Sequence, residues 1–538
     1  MDALAQQEEL IGRLARALQA GSGRVERFET HISWVLVAGG YAFKFKKALK
    51  LPFLDFSTLA ARRHYCQEEC RLNRRLAPAI YIDVLPVSGD PADPVLGGIG
   101  TPIEHAVWMR AFDQDALWSA RLANGLLEGG EVDSLAAVLA QFHQRAACAP
   151  AAAAWGTPVA VTASFAATLA ALEAEVEAEA TADAEGGDLA ALRQWQAQRR
   201  TGFAALAAAR KAAGMVRECH GDLHCSNILT TKGEVQAFDC IEFDDALRWI
   251  DVIDDLAFAH MDLAFRGRPD LAARLLNAYL ERTGDYGGLA LLPCYRVHRA
   301  LVRASVMLLR ARQQALPAPG REACRREGLS YLRYARLCTR GAPAALIAMH
   351  GFSGSGKTSV ARLLVELLGA VQLRSDVERR RLRAVDAAAG AQEARYGETA
   401  TRRTYERLAA LARTVIAAGW PVVVDAACLM LAQRERLRAV AAGLGVPFFI
   451  VDVQAERPAM LARIAARRQA ALDPSEADAA VLEGQLAGAE ALSPQERTHT
   501  VVVDTGAGLD ADRLRQACAP LISGMRAAIR TDRSGGGC

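Results

Sequence analysis

Residues 351–358 read GFSGSGKT, which fits the pattern G-x-x-x-x-G-K-[ST]. An apolar, strand-like segment (345–349) precedes the motif, and a helical pattern (359–368) follows it. In such a loop the glycines let the backbone curl so that its N–H groups point at a phosphate, and the helix N-terminus adds positive potential. The sequence therefore predicts a phosphate-binding loop between a strand and a helix.

The side chains of this loop have separate predicted roles. Lys357 reaches the β- and γ-phosphates of ATP, and the Thr358 hydroxyl ligates Mg²⁺. Because Lys357 neutralises charge on the transferring phosphate, it is also predicted to be catalytic. The other loop residues predicted to bind the nucleotide are Gly351, Ser353, Gly354, Ser355, Gly356 and Ser359. ATP and Mg²⁺ are thus the cofactors that this motif predicts.

Two carboxylates follow predicted strands downstream of the loop. Asp425 ends the apolar run 422–425, where a carboxylate orders the water shell of Mg²⁺; a strand-end cap is the alternative. Asp376 follows the strand-like run 371–373, and Arg379 lies one helical turn further on. This pair suits a base for a substrate hydroxyl and a cation for an anionic group, with a helix N-cap as the alternative for Asp376.

A third predicted strand, 448–452, is followed by a helix that carries Arg463 and Arg467. Arginines at this place are able to close over the transferring phosphate as a lid. A solvated helix face explains either residue equally well. Both are included among the candidate nucleotide-binding residues.

These segments together resemble a known group of enzymes. The segments GFSGSGKTS, RSDVERRRL and VVVDAAC and the arginine helix are similar to the small P-loop kinases related to polynucleotide kinase, gluconate kinase and the zeta toxins. The resemblance covers about residues 344–504. It implies transfer of a phosphate from ATP to a hydroxyl of a small molecule or nucleotide.

A second motif lies in the first half of the chain, where residues 220–227 read HGDLHCSN. Asp222 is followed five residues later by Asn227, and a strand-like run then ends in Asp239. This pattern resembles the catalytic loop of eukaryotic-like kinases, and HGDLH resembles the aminoglycoside phosphotransferase branch. The resemblance implies that Asp222 accepts the proton of the attacking hydroxyl and that Asn227 and Asp239 hold Mg²⁺.

The same resemblance implies a lysine on an N-lobe strand and a glutamate on the next helix. Residues 33–46 read as a hairpin with a Gly-Gly turn, in place of the glycine-rich G-x-G-x-x-G loop. Lys44 and Glu69 fill the two roles. Lys46 and Glu68 are the near-register alternatives, because side chains two residues apart on a strand share a face.

Five further residues near the motif are expected to have mainly structural roles. Asp251 and Asp255 are expected to tie down the catalytic loop rather than to touch substrate. His220 and His224 are expected to hold the turn by hydrogen bonds. For Glu242 the sequence leaves two roles open, a metal ligand and a structural partner.

The sequence predicts two domains with a boundary near Arg340, where a proline-bounded linker ends. Residues 1–339 are predicted to form an α+β bilobal kinase-like domain. Residues 340–538 are predicted to form an α/β P-loop domain with a parallel sheet, because short apolar strands alternate there with helices. The whole chain resembles bacterial fusion proteins that join an aminoglycoside-phosphotransferase-like domain to a P-loop kinase domain.

Composition narrows the partners and the location. The formal net charge is +3 from 64 basic and 61 acidic residues, which argues against a general nucleic-acid or membrane-surface binder. The start MDALAQQEEL has no secretory signal pattern, and no uninterrupted apolar run has the length of a membrane span. Scattered cysteines without an export signal favour reduced thiols and a cytoplasmic location. The expected partner is a small-molecule or nucleotide acceptor.

The leading interpretation is a bifunctional ATP-dependent phosphotransferase. In one alternative, one kinase-like domain is a regulatory nucleotide-binding module that controls the other. In another, the P-loop domain is a toxin or a kinase of nucleic-acid 5′ ends, which the arginine-rich run 379–383 keeps open.

Overall fold

The protein is described by a computed structural model for residues 3–51, 54–177, 182–313, 316–341, 343–388, 397–470, 477–506, 508, 511–519, 521–523 and 525. Helices and strands are numbered in chain order. The chain forms two compact units. The first unit consists of residues 1–266 and 294–337, and the second consists of residues 267–293 and 338–538.

The main sheet of the first unit has six antiparallel strands in the order β1-β2-β3-β8-β6-β7. The strands of the first unit are β1 (Glu26–Glu29), β2 (Ser33–Ala38), β3 (Tyr41–Lys46), β4 (Lys50–Leu51), β5 (Leu54–Asp55), β6 (Tyr81–Asp90), β7 (Asp93–Leu96), β8 (Glu104–Arg110), β9 (Val216–Glu218), β10 (Ile228–Thr231), β11 (Glu234–Ala237) and β12 (Trp249–Asp251). The short strands form separate pairs, β4 with β5, β9 with β12 and β10 with β11.

Ten helices of the described chain belong wholly or mostly to the first unit. They are α1 (Ala3–Ser22), α2 (Leu59–Asn73), α3 (Trp118–Ala123), α4 (Gly129–Arg145), α5 (Pro158–Glu177), α6 (Ala182–Ala212), α7 (Asp245–Arg248), α8 (Val252–Phe265), α10 (Leu292–Ala311) and α11 (Ala318–Cys338). Helix α1 packs on one face of the main sheet and α2 packs on the other. The sheet thus has a buried core on both faces.

The predicted hairpin over residues 33–46 is confirmed. Strands β2 and β3 pair with Ala38 opposite Tyr41, and the two residues between them are Gly39 and Gly40. Their φ values of +57° and +81° are those of a primed hairpin turn, which glycine adopts without steric cost. Alternation along β3 then places Lys44 on the same face as Ala42, which packs toward α2.

The second unit contains the predicted parallel sheet, with strand order β14-β15-β13-β16-β17. Its elements are α9 (Pro269–Thr283), β13 (Leu346–His350), α12 (Lys357–Leu368), β14 (Val371–Arg374), α13 (Ser375–Ala388), α14 (Glu398–Ala417), β15 (Val422–Asp425), α15 (Leu431–Gly443), β16 (Phe448–Gln454), α16 (Arg457–Ala470), α17 (Ala479–Gly488), α18 (Pro494–Arg497), β17 (Thr500–Asp504) and α19 (Ala511–Ala517). The two strands at the centre of the sheet, β13 and β15, are mostly apolar and buried, as parallel strands covered on both faces require.

Residues 267–293 differ from the expectation of two continuous domains. They belong to the second unit, where α9 packs against α12 and β14. An apolar helical pattern does not reveal which sheet the helix covers, so this placement could not be predicted from the sequence. The units otherwise divide after Leu337, and independent folding of fragments cut at Arg340 stays a prediction.

Helix α5 bears on the expected absence of a membrane span. Residues 158–176 of this helix are long and apolar enough to cross a membrane by length and composition, with a mean hydropathy of 1.5. The segment is rich in alanine, and it is interrupted by Thr162, Ser164 and Glu173. It is therefore a weak candidate.

Candidate active sites

The HGDLHCSN loop of the first unit is held in place by a buried carboxylate of α8. Asp255 accepts hydrogen bonds from the backbone N–H groups of His220 (3.1 Å) and Gly221 (2.8 Å) and contacts His143 Nε2 at 3.0 Å. Although burial alone raises the pKa of Asp255, the hydrogen bond from His143 and its neighbours lower it to about 2. Gly221 has φ +86°, and a Cβ there would lie 2.6 Å from Leu247 O. The expectation that Asp255 ties down this loop is confirmed.

Asp251 was expected to do the same, and this expectation is wrong. Its carboxylate accepts two hydrogen bonds from Arg210, at 2.6 and 2.8 Å, and caps α8 at Ile253 N. The second tie on the loop comes instead from Asp262, which accepts a 2.9 Å hydrogen bond from Cys225 N. Asp262 lies farther along α8 and outside any motif, so the sequence could not single it out.

Asp222 lies in the loop with an amide and a histidine beside its carboxylate. Asn227 Nδ2 donates to Asp222 Oδ2 and to Asp222 O, both at 3.0 Å, and His224 Nε2 lies 3.4 Å from Oδ2. Burial raises the pKa of Asp222, but His224 and Arg303 more than offset it, so the net shift is downward. The Asp222 carboxylate is therefore ionised at neutral pH.

His220 holds the turn as expected, because its Nε2 contacts Phe238 O at 2.9 Å.

A chain of alternating charges extends from β3 into the loop that follows β11. Lys44 Nζ lies 2.8 Å from Glu69 Oε1 and 2.6 Å from Asp239 Oδ1. Lys46 Nζ lies 2.7 Å from Glu69 Oε2 and also contacts the Glu242 carboxylate. Glu69 therefore serves two lysines, which together lower its pKa to about 2 against the effect of burial.

This geometry bears on the alternatives that the sequence left open. Lys44 faces Asp239, whereas the Lys46 side chain is fully buried against Glu242. Glu68 lies at the surface and pairs with Arg71 at 2.9 Å. The structure thus brings Lys44 to the loop and places Glu242 as a partner of Lys46.

Two arginines of α10 also contact the loop, and the sequence did not indicate them. Arg299 Nη1 donates to Gly221 O at 3.0 Å, and its Nε donates to Asp254 at 2.8 Å. Arg303 Nη1 lies 3.2 Å from His224 Nε2. Burial raises the pKa of Asp254 to about 6 despite Arg299. The only signal for this pair is their spacing of one helical turn on a helix without a motif.

In the second unit, the GFSGSGKT segment turns from β13 into α12 as predicted. A Cβ at Gly351 would lie 2.4 Å from Val453 O, and one at Gly354 would lie 2.5 Å from Met460 O. Gly356 begins α12 with φ +94°. The glycines are therefore required both by the backbone conformation and by the close approach of β16 and α16.

Lys357 and one backbone N–H of the loop contact protein groups. Lys357 Nζ donates to Phe352 O at 2.6 Å, and burial lowers the pKa of Lys357 to about 8. Ser353 N donates to Gln485 Oε1 at 2.8 Å. Gln485 lies on α17.

A cavity of about 730 Å³ opens beside this loop. The predicted site residues that line it are Ser353, Gly354, Gly356, Lys357, Thr358, Ser359, Asp376, Arg379, Asp425, Arg463 and Arg467. Ser355, by contrast, is buried within the loop. The parallel sheet therefore gathers residues that are up to about a hundred positions apart around one cavity.

Asp425 lies at the end of β15, beside Thr358. Gln372 Nε2 donates to Asp425 Oδ2 at 2.9 Å, and Arg374 Nε lies 3.8 Å from the same oxygen. Burial raises the pKa of Asp425, and Arg374, Lys357 and a hydrogen bond with Thr358 oppose this shift. The carboxylate and the Thr358 hydroxyl are adjacent, so their oxygens suit a hard divalent cation.

The two lid arginines differ in what they contact. Arg463 donates to Thr505 Oγ1 (2.9 Å) and Thr505 O (2.7 Å) and lies 3.3 Å from Gly354 O. Arg467 donates to Ala477 O at 2.7 Å and lines the cavity. Both side chains are half-buried, so neither lies on a solvated helix face.

Family models match a segment in each half of the chain. A family model described as "Phosphotransferase enzyme family" matches residues 65–292, and one described as "AAA domain" matches residues 346–492. Proteins of Mycobacterium tuberculosis and Mycobacterium bovis are 32% identical over 401 residues, which cover 74% of this chain and 77% of theirs.

Solved structures of two kinases also match parts of the chain. A choline/ethanolamine kinase family protein from Mesorhizobium loti covers 61% of this chain and 99% of its own, with 15% identity and a TM-score of 0.35. A gluconokinase from Sinorhizobium meliloti covers 37% of this chain and 100% of its own, with 20% identity and a TM-score of 0.26.

The matched families and the strand order define a phosphotransferase enzyme, in which a kinase-like domain of the aminoglycoside phosphotransferase type is followed by a P-loop kinase domain. The chain belongs to the same family as these mycobacterial proteins.

Proposed function

We propose that each half of the chain transfers the γ-phosphate of ATP to a hydroxyl group of a small molecule or nucleotide. The observation that carries the proposal is that each unit brings together three groups that phosphoryl transfer needs. These are a lysine for the phosphates, oxygen ligands for Mg²⁺ and a carboxylate for the acceptor hydroxyl.

In the first unit, Lys44 would pair with the ATP phosphates while Glu69 holds it in place. Asn227 and Asp239 would hold Mg²⁺; the Nδ2 of Asn227 is used within the loop, so its Oδ1 is the atom offered to the metal. Bound Mg²⁺ would neutralise charge on the transferring phosphate. Asp222 would take the proton of the acceptor hydroxyl, because its lowered pKa keeps it ionised.

In the second unit, the backbone N–H groups of the 351–356 loop and Lys357 would bind the phosphates. On arrival of a phosphate, the Lys357 ammonium would exchange its hydrogen bond with Phe352 O for the β- and γ-oxygens. Thr358 and Asp425 would hold Mg²⁺ and its water shell. Asp376 would accept the acceptor proton and Arg379 would hold an anionic group, since both line the same cavity.

Among the alternatives, the regulatory one predicts that one of the two sites binds nucleotide without transferring phosphate. For the nucleic-acid alternative, Arg381 in the arginine-rich run pairs with Glu378 and donates to the backbone of residues 280 and 281, so this arginine supports the fold of the second unit. A cytoplasmic location is part of the proposal.

The test is an ATP-consumption screen of the full chain against sugars, nucleosides, amino alcohols and oligonucleotides with 5′-hydroxyl ends. Asp222→Asn in the first unit and Asp376→Asn in the second each keep the shape of their site and remove its proposed base. We expect each variant to lose phosphorylation of a different acceptor by about two to four orders of magnitude. An acceptor whose phosphorylation is unchanged in both variants would contradict the assigned bases.

A further inference from the structure

Helix α9 of the second unit comes from a part of the sequence that the P-loop family model does not match. The phosphotransferase family model matches residues 65–292, which include all of α9, whereas the AAA model begins at residue 346. In the structure α9 nevertheless packs against α12, the helix that begins at Lys357, and against the edge strand β14. The second unit is therefore incomplete without this helix.

Asn277 of α9 pairs with the backbone of the sheet edge. Its Oδ1 accepts a 2.6 Å hydrogen bond from Gln372 N, and its Nδ2 donates to Ala370 O at 2.8 Å. Strand β14 lies at the edge of the sheet, where backbone groups lack a neighbouring strand. One carboxamide thus takes the place of a strand and fixes residues 370–372.

The side chain of the same Gln372 reaches the metal-binding side of the sheet. Its Nε2 donates to Asp425 Oδ2 at 2.9 Å, and the residue is only 8% exposed. Fixing the backbone of Gln372 therefore also fixes the donor that orients Asp425.

Glu281, one turn after Asn277, acts on a second neighbour of Asp425. Its Oε1 accepts a 2.9 Å hydrogen bond from Arg374 Nη1. Arg374 lies directly opposite Asp425 in the register of β14 and β15, and its side chain is 5% exposed. The buried Arg374 cation lies between the carboxylates of Glu281 and Asp425. These two carboxylates hold the guanidinium in one orientation.

We propose that Asn277 and Glu281 are positioning residues of the P-loop site. They fix Gln372 and Arg374, and these two side chains hold the Asp425 carboxylate toward Mg²⁺. The inference rests on the proposed function, because it takes Asp425 to act on the metal. It assigns to α9 a role in the P-loop kinase, although α9 lies within the match of the other family.

The test measures metal dependence in the full chain. Asn277→Leu removes at similar size both hydrogen bonds to the sheet edge and one to Ala273 O of its own helix. Glu281→Gln removes only the charge. Arg282→Gln is the control, because Arg282 is exposed on the same helix and donates to Ala278 O of that helix. Two quantities are measured for each variant. One is the Mg²⁺ dependence of the ATP binding that Lys357→Ala abolishes. The other is the binding of ADP in the absence of Mg²⁺.

We expect Asn277→Leu and Glu281→Gln to raise the Mg²⁺ concentration for half-maximal binding about three- to tenfold, somewhat less than loss of a direct partner of a metal ligand. Binding of ADP without Mg²⁺ should stay unchanged, because the loop backbone and Lys357 provide it. Unchanged Mg²⁺ dependence in both variants would overturn the inference, and so would an equal loss of ADP binding, which would indicate a damaged fold. If the parent protein has no binding that depends on Lys357, the proposed function fails instead.

Discussion

Two lysines of strand β3 share one buried glutamate, and their surroundings separate their roles. Lys44 faces Asp239, whose side chain is 44% exposed, whereas Lys46 lies between Glu69 and Glu242, where little solvent reaches. If Lys44 turned toward a phosphate, as proposed, Lys46 would still neutralise Glu69. The helix glutamate would then keep its position through a cycle of nucleotide binding and release.

This division predicts different effects for two matched substitutions. Lys46→Met leaves the buried Glu242 carboxylate without its cation and leaves Glu69 with Lys44 alone, so the free energy of unfolding of the first unit should fall by about 3–5 kcal/mol. Lys44→Met should cost less stability, because Asp239 is solvated, and should weaken ATP binding to the first unit. Urea unfolding and ATP titration of both variants check this. A larger loss of stability in Lys44→Met than in Lys46→Met would contradict it.

At the scale of elements, helix α8 sets the position of the catalytic loop through carboxylates aimed at backbone N–H groups. Asp255 acts on His220 and Gly221, and Asp262 acts on Cys225. The two residues are seven positions apart, or about two turns, so one helix face holds both ends of the HGDLHC segment. Hydrogen bonds from the fold itself thus hold both ends of the segment.

Replacing Asp255 tests this support through its pH dependence. In Asp255→Asn the amide NH₂ group faces one of the two backbone N–H donors and cannot accept its hydrogen bond. We therefore expect a loss of about 3 kcal/mol in unfolding free energy at pH 7. The pKa of Asp255 is lowered from 3.8 to about 2 in the folded state, so its contribution is complete above about pH 4 and is lost as the pH falls through about 2. The difference between parent and variant should therefore stay constant above about pH 5 and shrink as the pH falls from about 4 toward 2. A difference that stays constant over this whole range would contradict this account.

These elements also show how far the sequence could lead. The glycine turn, the alternating strands and the GFSGSGKT loop are local patterns, so the hairpin, the parallel sheet and the loop could be predicted. Asp255 could be predicted because it lies close to the motif in sequence. Arg299 and Asn277 could not, because Gly221 and Gln372, which they contact, are 78 and 95 residues away and neither lies in a local motif.

At the scale of the whole molecule, the second unit is discontinuous in sequence. Residues 267–293 are followed by α10 and α11 of the first unit before the chain returns at residue 338. Trp420 Nε1 lies 3.3 Å from Leu289 O, so the discontinuous piece also covers an aromatic residue of the second unit. Trp420 is the one tryptophan within residues 340–538.

A fragment of residues 340–538 therefore offers a clean optical test. Without residues 267–293, Trp420 should be more exposed to water, and its emission should lie at longer wavelength than that of a buried indole. Addition of a synthetic peptide of residues 267–293 should shift the emission back and raise the melting temperature of the fragment. If the peptide changes neither property, the segment is not needed to complete the unit.

The central claim is that one chain carries two Mg²⁺-dependent nucleotide sites, and the number of nucleotides bound per chain tests it most directly. Equilibrium binding of a non-hydrolysable ATP analogue with Mg²⁺ should give about two per parent chain. It should give about one for Lys357→Ala, about one for Asp239→Asn, and none for the double variant. One nucleotide per parent chain, with one of the two substitutions without effect, would contradict the claim.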